Sequence, residues 1–143
     1  MFTTWLFLLQ LGSAQFINPP AIHKPTGYTH AVKAAGCQPV FVSGQVALDA
    51  KAQVVGSGDF PKQAEQVFRN LEEVLRASGA AFRDVVKMNS YVVGLTPERL
   101  QQWRAVRTKF VGNQNPPAST LIGVPALARP DFLLEVEVIA CAK

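Results

Sequence analysis

The stretch from Asp59 to Gly79 restricts the fold more than any other part of the chain. Asp59 is a strong helix N-cap, Pro61 suits a first helical turn and Gly79 suits a helix end. Between them Ala64, Val67, Phe68, Leu71, Val74 and Leu75 recur at three- and four-residue steps. Glu65, Arg69, Glu72, Glu73 and Arg76 lie off that stripe. The spacing predicts one amphipathic helix over about residues 60–78. An apolar stripe of that length needs an apolar cover, and the flanking sequence offers strands to supply it.

Residues 30–35 and 39–43 are short apolar runs separated by Gly36-Cys37-Gln38, which predicts a β-hairpin. Residues 48–58 read as a polar loop with a short hairpin around Asp49. Residues 85–93, VVKMNSYVV, alternate and carry β-branched side chains, so they predict a strand. Thr96 and Pro97 then open a second helix carrying Leu100, Trp103, Val106 and Phe110. Residues 119–124 and 132–141 supply the last strands. The order β-β-α-β-α-β-β predicts a single α+β domain: one mixed sheet with both helices on one face. The other face is left to water or to another subunit. On the last strand Glu135 and Glu137 fall on one side, Val136 and Val138 on the other.

Composition narrows the function. The chain has 143 residues, 48% hydrophobic and 17% charged, which suits one globular domain. The net charge is +4, but Lys and Arg are spread from Lys24 to Lys143. The densest group, Arg99, Arg104, Arg107 and Lys109, has helical spacing and reads as a solvated face. That argues against nucleic acid as a partner. The cysteines, Cys37 and Cys141, are too few for a disulfide framework and have no C-x-x-C spacing. Cys141 reads as a packed thiol. His23 and His30 have no metal-ligand spacing, so neither a metal nor a cofactor is expected. No His pair for RNA cleavage is expected either.

Residues 1–14, MFTTWLFLLQLGSA, hold an apolar run at 5–11 followed by the small residues Gly12 and Ala14. Cleavage before Gln15 would make this a signal peptide, and residues 15–143 the mature domain. No Lys or Arg precedes the run, so an added strand or disordered extension stands level with that reading. On either reading residues 1–14 are expected to add nothing to the core. The location is then cytoplasmic, or periplasmic or secreted if the leader is cleaved. The run is too short to span a bilayer as a helix, and no membrane partner is expected.

Several motifs resemble one family. Gly27-Tyr28-Thr29-His30-Ala31-Val32 resembles the G-x-Y-S-x-A-V opening of Rid/YjgF proteins, and Val42-Ser43-Gly44-Gln45 their S-G-Q strand end. Gln63, Gln66, Val67, Asn70, Leu71, Val74 and Leu75 resemble their first helix. Pro117-Ala118, then Glu135-Val136-Glu137-Val138-Ile139-Ala140, resemble their C-terminal signature. The likeness covers about residues 17–142. It implies a chorismate-mutase-like α+β fold, a homotrimer with clefts between subunits, and hydrolysis of reactive enamines and imines.

Such hydrolysis needs a cation to hold a substrate carboxylate, a group to orient water and a shielded cleft. The family's anchoring arginine directly follows Pro-Ala; here Ser119 stands in that place. Serine offers one hydrogen bond and no charge. Imino acids carrying a carboxylate are therefore expected to be poor substrates. The family's asparagine of the second helix is replaced by Gln102 or Trp103, and a strand cysteine by Leu121. Glu135 matches the glutamate that orients water in the family, and a buried structural carboxylate is its alternative role. Tyr28, Ser43, Gly44, Gln45, Ser119 and Thr120 are the candidate contacts for a small molecule. The functions in play are an enamine or imine deaminase with altered anchoring, a non-enzymatic metabolite-binding trimer and, last, an RNA-directed endoribonuclease.

Overall fold

A computed structural model describes residues 14–143. The leader expected at 1–14 lies almost wholly outside the described residues. Strands β1 (Gln15–Ile17), β2 (Ala31–Lys33) and β3 (Gln38–Gln45) come first. Helix α1 (Phe60–Ala77) follows, then a 3-10 turn at Phe82–Asp84 and β4 (Val85–Val93). Helix α2 (Pro97–Val111), β5 (Ala118–Val124) and β6 (Leu134–Ala142) complete the chain.

Helix α1 forms for the reasons written in its sequence. The Lys62 N–H donates to the Asp59 carboxylate at 3.1 Å, capping the start. At the far end Gly79 takes φ +72°, which a β-carbon would resist. Val67, Phe68, Leu71 and Leu75 are fully buried. Each contributes roughly 1.5–3 kcal/mol through burial. The polar residues of the helix work as buckles. Gln63 is fully buried; its amide donates to the Asp131 carbonyl at 2.8 Å and accepts from the Leu133 N–H at 2.9 Å. Asn70 Nδ2 donates to the carbonyls of Val46 and Leu48 and is itself held by Gln66. Loop carbonyls are tied to the helix this way.

The main sheet runs β3-β6-β4-β5. Only β4 and β5 pair in parallel; the other neighbours are antiparallel. Helix α1 packs over β3 and β6, and α2 packs on α1. Met88, Val92, Leu134, Val136 and Val138 are buried on the helix side. The opposite side stays open and carries Lys87, Asn89, Tyr91, Glu135, Glu137 and Ile139, with Phe41 75% exposed. The mixed sheet with both helices on one face is the architecture expected.

Two expectations are corrected. Residues 30–35 and 39–43 form no hairpin: β2 pairs with β1, matching Phe16 to Val32, while β3 pairs with β6. Gly36, at φ +66°, turns the chain away, and the more apolar β3 joins the larger sheet. Gln15 thus begins a paired strand. Nor is Cys141 a packed thiol. Register places Pro39 opposite Cys141, so Cys37 just before β3 meets Cys141 near the end of β6 and the two are disulfide-bonded, Cα atoms 5.3 Å apart.

Candidate functional site

The candidate residues fall into two groups on opposite faces of the sheet. Register decides which is which. Ser119 lies beside Met88 and Leu121 beside Ser90, both of which face the helices. Thr120 lies beside Asn89 on the open face, where it accepts a hydrogen bond from Lys87 Nζ at 2.8 Å. Ser119 and Thr120 therefore cannot serve one ligand within a single chain.

The first group lines a cavity of about 380 Å³ between α2, β5 and the loop before β2. Its walls include Gly27, Tyr28, Trp103, Arg104, Ser119 and Leu121. The loop is held down by Thr29, which is buried. Its backbone N–H donates to the Pro117 carbonyl at 3.1 Å and its hydroxyl to the Pro116 carbonyl at 2.6 Å. Of the two α2 residues that could replace the family's asparagine, Trp103 reaches this cavity and Gln102 does not. Leu121 stands beside it, making the wall apolar.

Tyr28 does not act alone. Its hydroxyl shares a hydrogen bond of 2.6 Å with His23 Nε2. His30 Nε2–H in turn donates to the His23 carbonyl at 2.8 Å, and the two imidazole rings meet edge-on with centroids 4.9 Å apart. Sequence spacing alone does not reveal this contact. Folding of the irregular segment between β1 and β2 brings residues 23 and 30 together. Among the described residues no three His, Cys, Asp or Glu side chains converge as a metal site.

Arg107 overturns a further expectation. Grouped by spacing with a solvated helix face, it is only 3% exposed. The segment through Gly27 closes over it, and its guanidinium lies 5.6 Å from the centre of the Trp103 ring. Burial pushes its pKa below the ordinary arginine value.

The second group lies on the open face. Gly44 is a bulged position near the end of β3, where pairing with β6 slips between Val42 and Gln45. Glu135 rests over it: a β-carbon at position 44 would stand 2.7 Å from the carboxyl carbon. Ser43 is exposed, and its carbonyl accepts from Gln45 Nε2 at 3.2 Å. The two carboxylates of β6 differ. Glu137 accepts from Asn89 Nδ2 at 2.8 Å and from the Tyr91 hydroxyl at 3.0 Å. That hydrogen bond, then burial and the nearby carboxylates, hold the Tyr91 phenol above its ordinary pKa. Half-buried Glu135 shares no hydrogen bond with a described residue. Asn89 and Tyr91 were not singled out in the sequence. Their place at odd steps of an alternating strand, opposite Glu137 and Glu135, was the available signal.

Comparison with known proteins agrees with this geometry. The profile of the family described as Endoribonuclease L-PSP matches residues 19–142. A RutC family protein of Pyrococcus horikoshii is 31% identical over 118 residues, covering 82% of this chain and 89% of that protein. A 2-iminobutanoate/2-iminopropanoate deaminase of Dermatophagoides farinae is 33% identical over 79 residues, 54% of this chain and 60% of that one. A crystal structure of a Rid family protein of unknown function from Yersinia pestis superposes with a TM-score of 0.84. It is 39% identical, covering 90% of this chain and 98% of that one.

Proposed function

Because this chain belongs to the Rid/YjgF family, we propose that it hydrolyses a reactive enamine or imine, or a related small molecule, to a carbonyl compound and ammonia. The observation that carries the reading is the difference between the two β6 carboxylates. Glu137 is spent on Asn89 and Tyr91, whereas Glu135 is presented over bare backbone with its oxygens uncommitted. In the proposed step a water oxygen adds to the imine carbon while Glu135 accepts a water proton. That proton passes to the substrate nitrogen, giving a carbinolamine; its hydroxyl proton then passes by way of Glu135 to the amine, the C–N bond breaks and ammonia leaves as C=O forms. Every atom comes from substrate and water, so no cofactor is needed.

The Tyr28 cavity and Glu135 lie on opposite faces of one chain, so the complete site requires a second copy to bring its Glu135 group against the cavity. The open face suits that role. Phe41 and Ile122 are 75% and 46% exposed there, an apolar surface that a homotrimer would cover. Light scattering is expected to give three times the chain mass, and a clean monomer would refute this arrangement. The cystine supports an oxidising compartment, and so the exported reading of the N-terminus. No helix among the described residues is long and apolar enough to cross a membrane.

The test generates 2-iminobutanoate in place with an amino-acid oxidase and follows its decay. Wild type should accelerate the decay weakly, because Ser119 offers the substrate carboxylate no charge, and Glu135→Gln should not accelerate it at all. Equal rates from both proteins would remove Glu135 from the mechanism. No acceleration by either would favour the non-enzymatic binding trimer.

A further inference from the structure

The ribbon of β1 and β2 has three residues in each strand and pairs with no strand of the main sheet. A two-stranded ribbon of that size is marginal by itself in water. The chain beyond it is clamped to the body at Thr29, whose N–H and hydroxyl donate to the Pro117 and Pro116 carbonyls. From there to β3 the hydrogen bonds turn inward: β2 pairs with β1, the His30 N–H donates to Asn18 Oδ1 and His30 Nε2–H to the His23 carbonyl. Among the described residues, 30–37 share no hydrogen bond with the main sheet or either helix. The next fixed point is the Cys37–Cys141 bond.

The main sheet is weak where that bond meets it. Gln38 and Ala142 form the last pair of the β3–β6 ladder, and Pro39, opposite Cys141, has no N–H to donate. Strand β3 is an edge strand with β6 as its neighbour, so no second strand holds this corner. The bond is also within reach of a small thiol. Cys37 is half-buried, and Cys141 lines a groove of about 230 Å³ with Ala14, Phe16, Arg83 and Lys143.

We propose that the cystine is a redox latch. Oxidised, it clamps the β1–β2 ribbon and the 34–37 turn to the corner of the main sheet. Reduced, it releases both, while Thr29 keeps the loop before β2 seated on the Pro116–Pro117 carbonyls. The reductant is a dithiol: its two sulfurs join, and its two hydrogens end on the sulfurs of Cys37 and Cys141. Oxidation reverses the exchange. A chain held in a reducing compartment carries its ribbon loose, and fastens it on reaching an oxidising one. The inference stands on the cystine and the strand register, not on imine turnover.

Amide hydrogen exchange, resolved by residue with NMR, tests the latch on the full chain before and after treatment with dithiothreitol. Reduction should speed exchange of the amides bonded across the ribbon, within residues 15–17 and 31–33, by at least about tenfold. Over the same minutes β4 should stay protected in both states, and the Thr29 amide should change less than about threefold. Re-oxidation should restore slow exchange. Cys37→Ser with Cys141→Ser should reproduce the reduced pattern without reductant, and it carries the test if dithiothreitol leaves the bond intact. Equal ribbon exchange in both states overturns the proposal, because the ribbon is then held without the bond. Exchange that rises in β4 as much as in the ribbon overturns it as well, because the bond then supports the whole fold and gates no part of it.

Discussion

Glu135 occupies the space that a side chain at position 44 would fill, with its carboxyl carbon 2.7 Å from the missing β-carbon of Gly44. The clash involves the end of a flexible side chain and not backbone, so Gly44→Ala should displace the carboxylate at little cost to the fold. We expect a stability loss under about 1.5 kcal/mol and a rate near that of Glu135→Gln. Urea unfolding and the imine-decay assay together check this. A full rate in Gly44→Ala would show that the position of Glu135 is immaterial.

The cystine gives a second prediction. Cys37 and Cys141 are 104 residues apart, so their bond constrains most of the unfolded chain. Loop-closure entropy for such a span corresponds to about 4.7 kcal/mol, and measured values commonly fall short of it. Reduction, or Cys37→Ser with Cys141→Ser, should therefore lower unfolding free energy by about 3–4 kcal/mol. Identical urea midpoints with and without reductant would contradict the pairing.

A third prediction concerns His23. Its hydrogen bond to Tyr28 positions the phenol at the cavity wall. Removing one such bond costs about 1 kcal/mol, so His23→Phe should slow imine hydrolysis by about fivefold. The melting temperature should hold, because His23 is exposed. A rate unchanged by His23→Phe would make the histidine cluster a purely structural clasp.

Truncation separates the leader from the fold. A chain starting at Gln15 should melt like the full chain. One starting at Pro19 loses β1, the partner of β2 among the described residues, and should melt lower. A large loss already at the Gln15 start would show that residues 1–14 are packed.

What the sequence revealed follows from how local the signals were. Helix α1 could be read because Asp59, the stripe and Gly79 all act within the helix, and β4 because its alternation is unbroken. Glu135 could be separated from the core residues by parity alone. Arg107 could not be read as buried, since its burial depends on Gly27 closing over α2 from eighty residues earlier in the chain. The His23–Tyr28–His30 cluster lies in a segment without periodicity, and the cystine depends on the register of two strands distant in sequence. The family likeness located Tyr28, Ser119 and Glu135, but not their separation onto opposite faces, which strand register sets.

The central claim is that the Tyr28 cavity of one chain and Glu135 of another form one site. Subunit mixing tests it most directly. Tyr28→Ala and Glu135→Gln chains, each nearly inactive alone, are unfolded together in equal amounts and refolded. If the site is shared, about a quarter of the clefts regain both intact residues, and imine hydrolysis should recover to about that fraction of wild type. Activity no greater than the mean of the two separate variants would contradict the account.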